Sequence, residues 1–139
     1  MHRGSSSVWP LAVLLSGWLF TGVTQSAPLQ GSEWKPLRIS GTAIPEESDA
    51  FVQFRSKGRL EGHSGCNRIF AEYQVDDSYI FIGPVAATRM ACAESLMVIE
   101  AALAGALENA RTYRRERRKL MMFDRDGSPI LEMRQADWD

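Results

Sequence analysis

The sequence predicts an α+β domain: a curved, barrel-like antiparallel sheet of about seven or eight short strands wrapped on one central amphipathic helix near residues 94–110. Three observations lead there. Short β-type runs alternate with turn residues through most of residues 32–135. A single segment, ESLMVIEAALAGALENA at 94–110, switches to a helical period. The apolar stripe of that helix has to be buried, and the sheet is the one partner available.

Residues 1–26 stand outside this domain. They carry Arg3 and no acid, then a mostly apolar run from Val8 to Phe20, then small residues at Thr24, Ser26 and Ala27. This is the three-part form of a cleavable export signal, with an apolar core well short of the ~20 residues of a membrane span. Cleavage after Ser26 fits the small-residue positions better than cleavage after Ala27, which would leave Pro28 first. An uncleaved anchor is the alternative, since the positive end is thin and Pro10 interrupts the run. No cysteine lies near the boundary, so a lipid-bearing N-terminus is not expected. The expectation is a periplasmic or secreted protein, soluble after cleavage, with residues 27–31 a loose lead-in and 136–139 a tail.

The strands follow in order. Trp34–Ser40 is the first, and Pro36, which lacks a backbone donor, confines it to an edge or a strand start. GTAIPEESD at 41–49 is a loop. AFVQFR at 50–55 is the second strand, and SKGR turns the chain into a third at Leu60. Ile69, Ala71, Tyr73 and Val75 share one face at period two; DDS turns, and YIFIG at 79–83 is the partner of a hairpin. Near the end, Leu120–Phe123 and Ile130–Met133 flank DRDGSP, whose Asp126-Gly127 supplies a positive-φ turn position.

In the helix, Leu96, Ile99, Leu103, Leu107 and Ala110 recur at steps of three and four. Glu94 in the first turn and Arg111 just past the last complement the helix dipole. Gly105 weakens the middle by ~1 kcal/mol relative to alanine, which predicts close packing against a neighbour.

Composition bounds the function. The chain has 16 Lys and Arg against 17 Asp and Glu; loss of Arg3 with the signal leaves 15 against 17, a net charge of −2. That balance argues against a nucleic-acid binder. Of the two histidines, His63 alone lies in the mature part, three residues before Cys66 in GHSGCNRIFAEY. A thiol nucleophile at Cys66 would need His63 as its base. A metal site built on His63, Cys66 and Cys92 would lack a fourth ligand unless Glu61 or Glu94 supplied it, and the spacing does not call for one. His63 reads as a polar turn residue. Two cysteines in an exported chain point to a disulfide, Cys66–Cys92, fastening the helix N-terminus to the sheet. The loop it closes has 25 residues between the cysteines, for which chain entropy gives about 3.5 kcal/mol.

The residues around both cysteines carry a resemblance. Gly65-Cys66-Asn67-Arg68 followed by Phe70, then Thr88-Arg89-Met90-Ala91-Cys92 before an amphipathic helix, resembles the META domain family, which includes HslJ-type heat-inducible envelope proteins. Trp34 at the domain start, Gly83-Pro84 before the second motif and the hairpin around Asp126-Gly127 continue the likeness over residues 32–134. The resemblance implies an antiparallel β domain on a helix, an exported or membrane-tethered setting, an association with stress or antibiotic tolerance, and a fold similar to secretin pilot lipoproteins. It implies no reaction and no cofactor, and this chain is expected not to be an enzyme. Asn67, Arg68, Thr88 and Arg89 are the matching polar positions. Their expected role is structural: Asn67 bonding turn backbone, and Thr88 and Arg89 placed where a hydroxyl caps a helix start. A carboxylate or phosphate held by Arg68 or Arg89 is the alternative. Met90 is expected to fill core.

RTYRRERRKL packs Arg111, Arg114, Arg115, Arg117, Arg118 and Lys119 into nine positions. It reads as a solvated turn and strand face, with weak contact to an anionic membrane surface as the functional alternative. The functional expectation is a non-enzymatic exported monomer acting through contacts with an unknown envelope protein. A carrier of an apolar or lipid ligand held between helix and sheet is the alternative, and a thiol enzyme or redox switch a remote one.

Overall fold

The computed structural model describes Gly4, Pro10, residues 17–19 and residues 28–136. Most of the predicted signal segment and most of the tail lie outside these residues. Ten strands and one α-helix run in order: β1 (Glu33–Ile39), β2 (Thr42–Ala43), β3 (Phe51–Arg55), β4 (Arg59–His63), β5 (Arg68–Asp76), β6 (Tyr79–Ile82), β7 (Ala86–Ala87), α1 (Glu94–Asn109), β8 (Thr112–Glu116), β9 (Lys119–Phe123) and β10 (Pro129–Gln135). Eight of the strands close into an antiparallel barrel in the order β1-β3-β4-β5-β6-β8-β9-β10, with β10 returning to pair β1. β2 adds to β1 and β7 to β5.

Tight turns with positive φ set the hairpin registers, at Ser40 and Gly41 between β1 and β2, at Asp77 between β5 and β6, and at Arg117 between β8 and β9. The turn before β10 is the expected one, with Gly127 at φ 78° and Asp124 accepting from Asp126 and Ser128 amides.

Alternation puts Trp34, Val52, Phe54, Leu60, Ile69, Ile82, Leu120, Met122, Leu131 and Met133 inside, each nearly inaccessible to solvent. Charged residues such as Arg59, Arg68, Arg114, Lys119 and Arg134 alternate with them and are exposed. An apolar interior with a charged exterior is the reverse of what a lipid-embedded barrel needs. Among the described residues no helix is long and apolar enough to cross a membrane.

The helix touches β1 and β10 on one side of the ring and β6 on the opposite side, so it spans the barrel mouth. Its predicted stripe is the buried one: Leu103, Leu107 and Ala110 are in the core, and Leu96 and Ile99 are half-buried. Glu94 begins it, and Arg111 donates to the Glu108 and Ala110 carbonyls at its end, each at 2.8 Å.

Three expectations are corrected. β1 is not an edge strand: its ladder with β3 ends at Trp34 and that with β2 begins at Arg38, so Pro36 falls in the gap, beside a bulge against β10. Gly105 meets no neighbour, since a Cβ there would face open space. Glycines that do pack closely are Gly62 in β4, where a Cβ would overlap the Phe51 carbonyl oxygen, and Gly58, where it would come within 2.8 Å of the Tyr73 carbonyl oxygen. The lead-in is also tied down, by buried Leu29 and by Gly31 donating to the Phe54 carbonyl.

Candidate functional site

Residues 64–67 turn between β4 and β5, and the sequence there places three groups that can bond backward. The Ser64 amide donates to the Asn67 carbonyl at 2.8 Å, and the Ser64 hydroxyl oxygen accepts from the amides of Cys66 and Asn67. His63 ends β4 and is half-buried, not on the surface, and its Nδ1 accepts the Gly65 amide at 3.0 Å, which ties the imidazole to the turn.

The side chain of Asn67, 1% exposed, is at the centre of a larger network. Its Oδ1 accepts from the Met90 amide at 2.7 Å and from the Thr88 hydroxyl at 3.0 Å. Its Nδ2 donates to the Met90 carbonyl and to Glu100 Oε1, both at 3.3 Å. Glu100 Oε2 takes the Ser64 hydroxyl at 2.6 Å. The Cys66–Cys92 disulfide runs beside these bonds, with a Cα–Cα distance of 6.0 Å. Turn, motif segment and helix are therefore joined by one covalent bond and one buried polar knot.

Most of the motif positions meet in this knot, though not all as expected. Thr88 does not cap the helix: Ala93 is its N-cap, without a side-chain bond, while Thr88 accepts the Arg68 amide at 3.1 Å. A helix whose N-cap lies five residues later is out of reach of that hydroxyl. Arg68 is on the outer face with its guanidinium 5.2 Å from the Phe70 ring centre, and Arg89 is exposed. Met90 is no core filler, since its side chain is 63% exposed and only its backbone serves the knot. Both cysteines being bonded to each other, neither is a thiol nucleophile here.

Sequence reasoning missed Ser64 and Glu100. The signal for Glu100 was present: four residues after Leu96 and three before Leu103, it puts a carboxylate on the apolar stripe. Such a residue needs buried partners.

The basic run forms β8 and the turn into β9. Arg115 covers the Trp34 ring at 5.0 Å and donates to the Pro28 carbonyl and to Gln135 Oε1. Arg111 and Arg114 stand over the rings of Phe81 and Phe123. Arg114 pairs Glu116 at 3.2 Å, and Lys119 pairs Glu132 at 3.3 Å. Arg117 is exposed in the turn, beside Arg118.

A groove of about 550 Å³ lies between the outer side of α1 and the β1–β2 hairpin. Ile39, Ala43 and Ile44 form one wall, Val98, Ala102 and Ala106 the other, and Asp124 is its one ionisable lining residue. Gly105 faces into it, which explains why a helical glycine is without a neighbour.

Comparison with known proteins agrees with this geometry. The family model described as META domain matches residues 27–137. No curated protein matches the chain. The NMR structure of a protein from Burkholderia xenovorans is similar, with a TM-score of 0.64 at 20% identity over 99% of both chains. So is the crystal structure of a DUF4847 family protein from Bacteroides vulgatus, with a TM-score of 0.59 at 14% identity over 80% of this chain and 96% of the other. At these identities the likeness is one of fold.

Proposed function

We infer the function from the premise that this chain belongs to the META domain family, and propose that it is an exported, non-enzymatic envelope domain acting through contacts with another protein, in a stress- or antibiotic-tolerance setting. One observation carries the reading. The motif residues Asn67 and Thr88, with Ser64 and Glu100, are bonded to one another and to backbone, so what the motif accomplishes is to hold α1 across the barrel. The helix so held presents an apolar groove to solvent. Contact rather than chemistry is the use that arrangement favours.

The groove volume also lies within the ~300–1,000 Å³ of small-molecule pockets, which supports the second reading, a carrier of an apolar or lipid ligand. The barrel interior is packed with side chains, so that ligand would sit beside α1 and not inside the barrel.

The test has two parts. The full chain expressed in a bacterial host should appear in the envelope fraction with a mass beginning at Ala27, and alkylate only after reduction; cytoplasmic retention with two free thiols would overturn export. Photo-crosslinking residues at Val98, Phe81 and Arg59 should then give a discrete protein adduct in the envelope from at least one position. Silence at all three sinks the contact reading.

A further inference from the structure

Among the described residues from 28 onward, every aromatic side chain outside β6 is buried or half-buried. In β6, Tyr79 is 65% exposed and Phe81 55%, although burying a phenylalanine gains about 1.5–3 kcal/mol. The two are alternate residues of one strand, so both rings leave its outer face, about 7 Å apart along it. On β5, Asp76 is paired across from Tyr79 and Gln74 across from Phe81, while Thr112 of β8 flanks Tyr79 on the other side. Arg111 stands 5.8 Å from the Phe81 ring centre. With Asp124 and Arg125 these residues line an open hollow of about 550 Å³.

The polar groups around the rings are of both kinds and largely unspent. Two carboxylates, Asp76 and Asp124, stand with two guanidinium groups, Arg111 and Arg125, and none of the four makes an ion pair among the described residues. Asp124 Oδ1 takes two turn amides, and Arg111 Nη1 the Glu108 and Ala110 carbonyls. The side chains of Gln74, Asp76 and Arg125 make no hydrogen bond among the described residues.

Charges that cancel do not select a polyanion. A strip two rings long, bordered by charged and amide groups, is too small and too polar for the apolar core of a protein interface. A lipid tail laid here would strip water from those groups without replacing its bonds. A pyranose matches both halves of the site. Its C–H face is apolar and lies flat on an aromatic ring, and each hydroxyl at its rim both donates and accepts. Carboxylate, amide and guanidinium side by side supply acceptors and donors together.

We propose that this face binds a neutral glycan: a chain of β-linked pyranose units whose C–H faces stack on Tyr79 and Phe81 and whose hydroxyls bond Gln74, Asp76 and Arg125. Equatorial linkages keep such a chain flat, as a strand face requires. The site shares only Asp124 with the groove beside α1, and glycan binding does not depend on the protein contact proposed above.

The nitrogen-15-labelled full chain, as recovered from the expression host, is titrated with chitotetraose and with cellotetraose and followed by its amide NMR spectrum. At least one should shift the amides of Gln74, Asp76, Tyr79 and Phe81, with an affinity indifferent to salt because the ligand is uncharged. A response to chitotetraose alone supports an N-acetylated chain, and a response to cellotetraose a plain one. Tyr79→Ala and Phe81→Ala, both at exposed positions, should each weaken binding roughly tenfold with the rest of the spectrum unchanged. Tyr79→Phe keeps the ring and should bind nearly as well as the parent; Gln74→Ala should weaken binding about threefold.

No shift with either glycan at millimolar concentration, or binding indifferent to both alanine variants, overturns the proposal. So do shifts confined to residues beside α1. A response to heparin alone, lost on adding salt, would make the face an anion site and overturn it too. A protein adduct from the crosslinker at Phe81 with no glycan shift would give the face to a protein and leave the contact reading standing. Glycan shifts with no adduct at Val98, Phe81 or Arg59 would do the reverse.

Discussion

Replacing Asn67 with alanine leaves the Met90 amide and Glu100 Oε1 short of a partner at a part-buried site, so each orphaned group costs toward the lower end of about 1–3 kcal/mol. Chemical denaturation should therefore find Asn67→Ala about 2 kcal/mol less stable. Asn67→Asp is a sharper test, because it sets a second carboxylate against Glu100 Oε1 where an amide now donates. Like charges raise the folded-state pKa of the pair above the unfolded values, so the folded form prefers the proton. The defect should be smallest at acid pH and grow as pH rises through the carboxylate range; a pH-independent defect would refute the coupling. Glu61 works in the opposite sense. The Arg59 hydrogen bond, with Arg55 close by, holds its carboxyl below the usual range, so any contribution is present at neutral pH and lost as pH falls through the lowered value. Two glycines give opposite signs. Gly105→Ala should stabilise by up to ~1 kcal/mol, since it restores helix propensity where a methyl group meets nothing. Gly62→Ala should destabilise strongly, because the clash is with backbone. From sequence Gly105 looked like the packed glycine, because helix propensity reveals a cost and not its reason. Gly62, inside a strand, gave no hint of the carbonyl beside it. Asn67 was legible as a structural residue, but its partners come from a segment more than twenty residues away that only the fold brings near.

The helix is held differently along its length. Its C-terminal half is fixed by buried Leu103, Ala106 and Leu107 and by Arg111 on the last carbonyls. Its N-terminal half, with Met97 and Val98 exposed and no side-chain cap at Ala93, depends on the disulfide and the Glu100 bonds. Reduction, or the double substitution Cys66→Ser with Cys92→Ser, should therefore speed amide exchange at residues 97–101 and leave the β9–β10 hairpin unchanged. The loss of stability expected from loop entropy is about 3.5 kcal/mol. Uniform acceleration across the molecule would mean that the bond acts on the unfolded chain alone. The long elements were legible because each carries a period: the stripe in α1, the alternation in β5, and the Asp-Gly turn before β10. Two elements were not. β2 and β7 have two residues each, too short for any period, and exist because β1 and β5 offer them an edge. β8 was half legible, since among its arginines only Tyr113 marks an inward face.

At the scale of the molecule, closure separates the structure from the string of hairpins in the sequence. The β1–β10 ladder joins the first strand to the last, and no local pattern specifies it. Closure also decides what the basic run can do. Arg111, Arg114 and Arg115 lie over the rings of Phe81, Phe123 and Trp34, and Lys119 pairs Glu132, so the run is built into the wall. A positive surface at this corner consists mainly of the turn between β8 and β9, on a chain whose net charge is −1. Attraction to an anionic membrane must then be local, weak and electrostatic, without an apolar insertion to sustain it. Flotation with phosphatidylglycerol vesicles should show partial binding at ~10 mM salt, where the screening length is about 30 Å, and none at ~150 mM, where it is about 8 Å. Arg117→Glu, at an exposed turn position, should abolish the low-salt binding with the fold intact. Binding that survives physiological salt would assign the run a dedicated lipid role, and no binding at low salt would leave it as barrel wall.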